Sequence, residues 1–413
     1  MATRSALRIR APGDAAHLGV LEGASDADEI LRPESRSGPT IEKERGMNKP
    51  TILLVAGARP NFMKVAPVWR ALEATGKFSL VLVHTGQHYD DNMSKVFFDD
   101  LRLPRPNAHL GVGSGSHAGQ TARVMLAFES AMMDADPDLV VVVGDVNSTM
   151  ACALVSVKLS VPVAHVEAGL RSFDRTMPEE INRMVTDILS DLLFITSAEA
   201  RDNLMREGVD PAKIHLVGNV MIDSLHFYAT AAAASPILAT LGLEGSRYGL
   251  VTLHRPSNVD DTMVLVPLLE ALVRIGEECP LVFPVHPRTR AVIERVGIEV
   301  QADRMRLIDP LGYLDFMKLM RYSSIVLTDS GGIQEETTAL GIPCLTIRDN
   351  TERPITVTVG TNRLVGTGPK RIVSEALDVL HHGVAGAKVP DRWDGNAAPR
   401  IAEVITRFLY EQS

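Results

Sequence analysis

The feature that most constrains the fold is a unit that repeats from residue 51 onward: a short apolar run, a loop of Gly, Pro and polar residues, and an amphipathic helix. Apolar runs that each precede a helix are typical of parallel strands in a sheet covered on both faces. The first series of runs comprises Thr51–Ala56, Leu80–His84, Leu139–Val143, Val161–Val166, Leu192–Thr196 and Ile214–Val217. The second comprises Leu250–Leu253, Leu281–Val285, Met305–Ile308, Ile325–Thr328 and Cys344–Ile347. This pattern predicts the α/β fold class with two doubly wound, Rossmann-like domains.

The 413-residue length also favours more than one domain. We expect an N-terminal domain of residues 47–218 together with 395–413, and a C-terminal domain of residues 219–394. In this arrangement the last helix, Arg400–Tyr410, crosses back onto the first domain. Residues 1–46 are rich in Pro, Gly, Ser and acidic side chains and have little apolar periodicity. We therefore predict that they form a disordered extension.

Composition excludes several classes of protein. The formal net charge of −9 argues against a nucleic-acid binder. The longest aliphatic run, Leu139–Val143, is too short to span a bilayer. The three cysteines, Cys152, Cys279 and Cys344, form no CxxC pair and provide no metal framework. We predict a cytoplasmic protein with neither nucleic acid nor membrane as a partner.

Common cofactor and hydrolase motifs are missing from the sequence. It contains no GxxxxGK[ST], HExxH or GxSxG motif. The Gly-containing stretch Gly111–Gly115 follows no predicted strand and lacks the third spaced glycine of a dinucleotide fingerprint. We therefore predict that the protein uses no cofactor and no metal.

Ligands of doubly wound sheets bind beyond the carboxyl ends of the strands, and a pair of facing domains forms a cleft there. One such loop follows Thr328 and contains Ser330, Gly331 and Gly332 before a helix. Glycines allow close backbone approach, and the free N–H groups of a helix start attract an anion. Glu336, one turn later, is placed to accept hydrogen bonds from ribose hydroxyls. An ordinary strand-to-helix turn has the same composition, so the motif alone indicates a nucleotide site only weakly.

Cations form a second group. Arg59 and Lys64 follow the first strand at a helix entrance, where positive charge opposes the helix dipole. A bound anion would offset the repulsion between these cations and the helix dipole. The alternative is that both side chains are simply solvated at the surface. Arg353 is a third cation, on the second predicted domain.

Acidic residues form a third group. Asp145 and Glu167 end predicted strands, and Glu179 begins a helix with Arg183 four residues later. Capping and an i,i+4 ion pair would explain these residues structurally. Several carboxylates around one cleft also suit proton transfer at a carbon atom. His254 ends a strand of the second domain and would face them.

Together, seven segments resemble the non-hydrolysing UDP-N-acetylglucosamine 2-epimerase family. They are GARPNFMK (57–64), GDVNST (144–149), HVEAGLRS (165–172), MPEEINR (177–183), TLHRPSN (252–258), TDSGGIQEE (328–336) and TERP (351–354). The resemblance implies a GT-B-like fold and an isomerase that interconverts UDP-GlcNAc and UDP-ManNAc for polysaccharide biosynthesis. The implied route is anti-elimination of UDP and its re-addition through 2-acetamidoglucal, with a UDP-sugar as the only partner needed. We also expect a homodimer.

The resemblance further implies roles for individual residues. The catalytic group would be Asp145, Glu167 and Glu179, assisted by His254 and Arg183. The substrate-binding group would be Arg59 and Lys64 near the diphosphate and sugar, Phe316 at the uracil, Ser330, Gly331 and Gly332 at the phosphates, Glu336 at the ribose and Arg353 on the sugar side.

Three alternatives stay open at this point. Part of the family acts on UDP-2,3-diacetamido uronic acids, and most of the segments are similar in both branches. Arg353 within TERP favours UDP-GlcNAc. A GT-B glycosyltransferase would bind the same donor but would need an acceptor. A catalytically silent UDP-sugar sensor would have no use for Asp145, Glu167 and Glu179 together.

Overall fold

The computed structural model describes residues 49–86, 103–297 and 301–411, apart from the side chain of Arg59. The described strands form two parallel sheets. Those of the first sheet are β1 Thr51–Ala56, β2 Ser79–His84, β3 Ala108–His109, β4 Leu139–Val143, β5 Val163–Ala168, β6 Leu192–Ile195 and β7 Ile214–Leu216. Those of the second are β8 Gly249–Thr252, β9 Leu281–Pro284, β10 Met305–Ile308, β11 Ile325–Thr328, β12 Cys344–Thr346 and β13 Asn362–Leu364.

Helices alternate with these strands. In the first half of the described chain they are α1 Arg59–Thr75, α2 His117–Ala135, α3 Asn147–Lys158, α4 Pro178–Leu189, α5 Ala198–Arg206, α6 Val220–Ala233 and α7 Ile237–Thr240. In the second half they are α8 Pro256–Val259, α9 Thr262–Gly276, α10 Pro287–Val296, α11 Tyr313–Tyr322, α12 Gly331–Leu340, α13 Ile355–Thr358, α14 Pro369–His382 and α15 Ala397–Glu411. A 3₁₀ turn, Pro211–Lys213, precedes β7.

Each sheet reverses its winding direction at an inner pair of strands. The orders are β3-β2-β1-β4-β5-β6-β7 and β10-β9-β8-β11-β12-β13, and the pairings are parallel. The loops after β1 and β4 therefore diverge from one reversal point, and those after β8 and β11 from the other. Such points open a crevice at the carboxyl ends of the strands. The predicted fold class, with two doubly wound parallel sheets, is confirmed.

Burial on both faces explains the continuous apolar runs. All five residues of β4, Leu139–Val143, are at most 1% exposed. One face packs in a core with Val124, Phe128 and Met132 of α2. The other face packs in a core that contains Phe62 of α1. Since both faces of the strand meet helices, a polar side chain has no place until the strand ends.

Two helices connect the parts of the chain that carry the sheets. Ser224 of α6 donates a hydrogen bond to the carbonyl of Met63 on α1 at 2.5 Å. The last helix, α15, returns to α1, where the Tyr410 hydroxyl donates to the Lys77 carbonyl at 2.9 Å. Ile401 of α15 is fully buried in the core beside the first sheet. The boundaries at 218–219 and 394–395 stay a prediction.

Several expectations differ from the structure or lie outside it. The short strands β3 and β13 were not predicted, and β5 runs two residues further than Val166, so Glu167 lies within it. The predicted extension, residues 1–46, lies outside the described residues. Among the residues that are described, no helix combines the length and apolar character needed to cross a membrane.

Candidate active site

The loop after β1 brings a cation to the carboxyl end of β4. Asn61 fixes this turn, because its side-chain oxygen accepts hydrogen bonds from the backbone N–H groups of Gly57 and Ala58 at 3.2 and 2.9 Å. Its amide nitrogen donates to the Val143 carbonyl at 3.2 Å. Lys64 follows on the next turn of α1 and is only 8% exposed. The lysine is therefore held inside the site rather than in solvent.

Glu167 is the partner of Lys64. Its backbone has a φ of 75°, and the register between β5 and β6 shifts between Val166 and Ala168. This conformation is costly for a residue with a Cβ atom and persists where surrounding contacts hold it, as at functional sites. One carboxylate oxygen of Glu167 pairs with Lys64 Nζ. The other accepts a hydrogen bond from Arg353 Nη2 at 2.6 Å.

Gly144, at the end of β4, leaves room for these charges. Its φ is 65°, and a Cβ atom there would lie 3.0 Å from Lys64 Nζ and 3.6 Å from Glu167 Oε2. A side chain at this position would be strained by its backbone and would press on the lysine. Asp145 follows directly, so this glycine places it at the rim of the same cluster.

Arg353 brings the second sheet to this cluster. Its Nε atom lies 2.9 Å from Glu335 Oε1, without the alignment of a hydrogen bond, and its Nη1 atom pairs with Glu352. Glu352 also pairs with Arg348 at 2.7 Å. Arg353 is therefore shared by three buried carboxyl groups. One of them, Glu167, belongs to the first sheet, so the contact joins the two halves of the site.

The charges of this cluster shift the pKa values of its carboxyl groups in opposite directions. Burial raises the pKa of Glu167, but attraction and hydrogen bonds from Lys64 and Arg353 outweigh it, and the pKa lies below its ordinary value. Burial also raises the pKa of Glu352, but the nearby arginines lower it to well below its ordinary value. At Glu335 burial raises the pKa, the attraction of Arg353 does not offset it, and Glu167 adds to the increase. At neutral pH, Glu167 is therefore an ionised carboxylate beside two cations.

Asp145 is held by Arg183 of α4. The four-residue spacing suggested a pair between Arg183 and Glu179, and the structure corrects this. Arg183 pairs instead with Asp145 and, at 2.7 Å, with Glu180. Glu180 is on the buried face of the helix and also accepts a backbone N–H from the loop after β5 at 3.0 Å. Glu179 is half-buried and attracts Arg255 electrostatically from across the cleft.

The loop after β8 is fixed by a buried aspartate. Asp329 accepts hydrogen bonds from the backbone N–H groups of His254 and Arg255 at 3.1 and 2.9 Å, and from Asn258 Nδ2 at 3.1 Å. The Nδ1 atom of His254 lies 2.9 Å from Asp329 Oδ1, while 60% of the histidine side chain is exposed. Burial raises the pKa of Asp329, but the contacts with His254 outweigh it and the pKa is lowered. The aspartate thus orients an accessible imidazole.

The two glycines at the start of α12 have different surroundings. A Cβ atom on Gly331 would lie 2.4 Å from Arg353 Nη1 and 2.6 Å from Glu352 Oε1. Gly331 is therefore needed for the close approach of these charged groups. A Cβ atom on Gly332 would meet no atom within 4 Å among the described residues. The space in front of the helix start lies at Gly332 and at the half-buried Ser330.

Glu336 lies deeper on the same helix. It is 3% exposed, and the Tyr313 hydroxyl donates a hydrogen bond to its Oε1 atom at 3.2 Å. Burial raises the pKa of Glu336 to about 7, against the effect of the Tyr313 hydrogen bond. Phe316, one turn after Tyr313 on α11, is half-buried and packs against an apolar cluster beside the second sheet.

The structure thus brings five of the thirteen predicted residues into two contacting groups. Lys64 and Arg353 each contact Glu167, and Asp145 pairs with Arg183. The side chain of Arg59 lies outside the described residues. Four participants were missed, and each is adjacent in sequence to a predicted residue or its motif: Glu180, Asp329, Glu335 and Glu352. Adjacent carboxylates point in different directions, and the sequence offers no signal that says which one is used.

Sequence comparison identifies the family. The family model described as UDP-N-acetylglucosamine 2-epimerase matches residues 70–406. A UDP-N-acetylglucosamine 2-epimerase of Methanocaldococcus jannaschii is 40% identical over 365 residues, which are 86% of this chain and 99% of the relative. A UDP-2,3-diacetamido-2,3-dideoxy-D-glucuronate 2-epimerase of Pseudomonas aeruginosa is 44% identical over 365 residues, with the same coverage.

Structure comparison agrees. The crystal structure of the Methanocaldococcus jannaschii UDP-GlcNAc 2-epimerase in complex with UDP-GlcNAc and UDP superposes with a TM-score of 0.78 at 39% identity. The match covers 86% of this chain and 99% of that one. Similarity of sequence and of fold over nearly the whole length of these relatives leads to one conclusion. The chain belongs to the UDP-N-acetylglucosamine 2-epimerase family.

Proposed function

We propose that this protein is an isomerase that interconverts UDP-GlcNAc and UDP-ManNAc by inverting carbon 2 of the sugar. The observation that carries the proposal is the strained, buried Glu167 held by Lys64 and by Arg353 from across the cleft. A protein that only binds a UDP-sugar has no need for a carboxylate in this position. Asp145 at the rim of the same cluster supplies a second acid or base.

The chemistry of the substrate explains these groups. The proton on C2 is not adjacent to a carbonyl, so simple removal and return would be slow. A carboxylate instead removes this proton while the bond between C1 and the diphosphate oxygen breaks, which gives 2-acetamidoglucal and UDP. A second acid then protonates C2 from the opposite face, and the diphosphate oxygen bonds to C1 again. This route requires neither a nicotinamide nor a metal.

We assign the roles by position. The base and the acid come from the group Asp145, Glu167 and Glu179. Lys64, together with Arg59, stabilises the negative charge that develops on the departing UDP. The N–H groups at the start of α12 attract its phosphates. Glu336 binds the ribose, Phe316 flanks the uracil, and His254 with Arg183 supports the carboxylates.

The Pseudomonas aeruginosa relative, which is named for a diacetamido glucuronate, suggests a second candidate substrate. That sugar carries an additional carboxylate, which needs a cation. Arg353, the cation assigned to the sugar side, is already paired with three carboxyl groups of the protein. We therefore favour UDP-GlcNAc, with the uronate as the alternative. Parallel assays with both sugar nucleotides separate them.

Turnover of UDP-GlcNAc alone tests the reaction. The purified protein should form UDP-ManNAc without any acceptor, whereas a glycosyltransferase would form none. In deuterium oxide the product should carry deuterium at C2, and long incubation should release some UDP and 2-acetamidoglucal. Product that keeps its original C2 hydrogen would contradict the elimination route. The absence of any new sugar nucleotide would contradict the epimerase assignment.

We also propose a homodimer. On α2, Leu126 and Met133 are 59% and 64% exposed, and on α4, Ile188 is 62% exposed and Ile181 is 37% exposed. Each pair is spaced seven residues apart and therefore lies on one face of its helix. A second copy of the chain would cover these apolar side chains. Light scattering after size-exclusion chromatography should give twice the mass of the chain, and a monomer mass would contradict the proposal.

A further inference from the structure

A buried polar group lies beneath the site, and the proposed mechanism does not use it. It consists of His165 on β5, Asp187 on α4 and Arg171 in the loop after β5, and each is at most 2% exposed. Buried polar and charged side chains are costly unless they are well partnered. Their contacts therefore indicate what this group does.

His165 connects two loops of the site. Its Nε2 atom lies 2.8 Å from the Gly144 carbonyl, and its Nδ1 atom lies 2.7 Å from Asp187 Oδ1. A carbonyl can only accept, so Nε2 donates to Gly144. Gly144 is the residue before Asp145. The imidazole therefore fixes the end of β4 from below, at the point where Asp145 leaves the sheet.

Asp187 fixes the neighbouring loop with its other oxygen. Oδ2 accepts a hydrogen bond from the Gly169 backbone N–H at 3.1 Å and pairs with Arg171 Nη1 at 2.7 Å. Gly169 is two residues after Glu167 and directly follows β5. Asp187 also lies two turns after Glu179 on the same helix.

We propose that Asp187 and His165 are positioning residues that set the distances among the three carboxylates of the mechanism. His165 contacts the residue before Asp145, and Asp187 contacts the backbone two residues after Glu167. Asp187 also belongs to the same helix as Glu179. This inference rests on the proposed function, which assigns the three carboxylates their roles. The UDP-binding groups of α12 lie on the other sheet and do not contact the pair.

Two substitutions at His165 separate its contacts. In His165→Asn the shorter amide reaches Asp187 but not Gly144, whereas in His165→Gln the amide nitrogen reaches Gly144 but not Asp187. Because misplacement by about 1 Å costs about a hundredfold in rate, we expect kcat of His165→Asn to fall by about 10- to 100-fold. UDP affinity should stay within about threefold of wild type, since a positioning defect acts on the chemical step rather than on the nucleotide. His215→Asn is the matched control, because it removes a half-buried imidazole from β7 of the same sheet.

Asp187→Asn serves as the conservative rescue. Its amide nitrogen donates to His165 Nδ1 while its oxygen accepts from Gly169, so kcat should stay within about fivefold of wild type, whereas Asp187→Ala should lose both contacts and much of kcat. Hydrogen–deuterium exchange of the ligand-free protein gives a readout that does not depend on the reaction. Exchange should rise in the peptide covering residues 144–146 for His165→Asn, and not for His215→Asn.

Two outcomes would overturn the inference. One is unchanged exchange and kcat in His165→Asn. The other is a fall in kcat that accompanies equal losses of UDP affinity and melting temperature, because that pattern indicates a general defect of the fold. If wild type fails to act on UDP-GlcNAc, the proposed function is wrong, and the exchange data still decide whether the pair holds the two loops.

Discussion

Arg353 is the residue on which the electrostatics of the site depend. One guanidinium contacts Glu167, Glu335 and Glu352, and all of these groups are nearly inaccessible to solvent. Buried ions are tolerated only when partners compensate their lost hydration, and removal of one partner costs about 3–5 kcal/mol. Neutralising any one of these groups therefore leaves the charge of the others less well compensated. Lys64 reduces this dependence for Glu167 by providing a second cation.

Glu167→Gln should separate catalysis from binding. The amide keeps the shape of the side chain but can no longer act as a base, so turnover should fall by about 100-fold or more. UDP affinity should change by less than about tenfold, or about 1.4 kcal/mol, because the proposed contacts with the uracil, the ribose and the N–H groups of α12 lie beside the second sheet, and Lys64 and Arg59 are unchanged. Steady-state kinetics and calorimetric titration with UDP measure both quantities. Glu375→Gln, which removes a surface partner of Arg363, is the control. Equal turnover in Glu167→Gln and wild type would remove Glu167 from the mechanism.

Glu336→Gln should make stability less dependent on pH. Burial raises the pKa of Glu336 from an ordinary value of 4.5 to about 7, so the folded protein keeps this proton over a range in which the unfolded chain releases it. Between these values the unfolded state binds fewer protons than the native state, and wild-type stability falls as pH rises. The loss amounts to about 3 kcal/mol and is complete above pH 7. Glutamine has no proton to release, so the stability of the variant relative to wild type should rise by this amount between pH 4.5 and 7.

Denaturant unfolding at several pH values measures this difference. Tyr313→Phe removes a hydrogen bond that lowers the pKa of Glu336. The stability of this variant should therefore continue to fall up to a higher pH than the stability of wild type. A stability difference between Glu336→Gln and wild type that does not change from pH 4.5 to 8 would contradict the prediction.

At the scale of elements, the end of β5 departs from regular strand geometry. Its bulge, the left-handed Glu167 and Gly169 with a φ of 78° follow each other within four residues. A bulge re-aims a side chain by inserting an extra residue into the strand. Here it turns a carboxylate from a fully buried strand toward Lys64 and Arg353. The geometry of the site therefore depends on the glycine that completes the turn.

Gly169→Ala should destabilise the protein more than Gly208→Ala. Both glycines are left-handed, which costs an alanine about 1–2 kcal/mol. A Cβ atom on Gly169 would also lie 2.6 Å from the Ala200 carbonyl oxygen, whereas one on Gly208 would meet no described atom within 4 Å. The collision should add about 1–3 kcal/mol. Urea unfolding of the two variants measures the difference, and equal losses would show that the turn after β5 relaxes freely.

Burial pattern decides which elements could be predicted from the sequence. The long strands were predictable because both faces are covered and their residues are apolar throughout, as in Leu139–Val143. The edge strands β3 and β13 were missed because they have two and three residues and contain polar side chains. The end of β5 was placed too early because Glu167 is charged. The strand tolerates this charge only because Lys64 and Arg353 neutralise it, and a cation nearly 190 residues later, at the other sheet, is not visible in a local pattern.

The same limit applies to the site. Its loops could be predicted, since polar residues that follow buried strands are conspicuous. The choice between Glu335 and Glu336 could not, because adjacent helical residues point about 100° apart and both have the same chemistry. The structure directs Glu335 to Arg353 and Glu336 to Tyr313. Contacts between residues far apart in the sequence, such as that of Glu167 with Arg353, were likewise beyond the reach of spacing arguments.

At the scale of the whole molecule, few polar contacts between described residues cross from the loops of one sheet to those of the other. Arg353 reaches Glu167, and Asn350 Nδ2 lies 3.4 Å from Asp174 Oδ2, which makes a weak hydrogen bond. The helices α6 and α15 hold the other side together through buried apolar packing. A molecule joined firmly on one side and by a few charges on the other is expected to close and open around that joint. Ligand groups on both halves favour the closed form once a UDP-sugar is bound.

Arg353→Met should therefore open the ligand-free protein. Methionine fills part of the volume but leaves the ionised carboxylates of Glu167 and Glu352 without the cation that they share, so these like charges of the two halves repel each other. Small-angle scattering should give a larger radius of gyration than for wild type. Arg363→Met is the matched control, because it removes an arginine that pairs with Glu375 and Asp378 within the second half. High salt should reduce the expansion, because it screens the repulsion once the cleft has opened to solvent. If Arg353→Met and Arg363→Met have the same radius of gyration as wild type, the charged contact does not hold the cleft closed, and the apolar packing of α6 and α15 alone sets the arrangement of the two sheets.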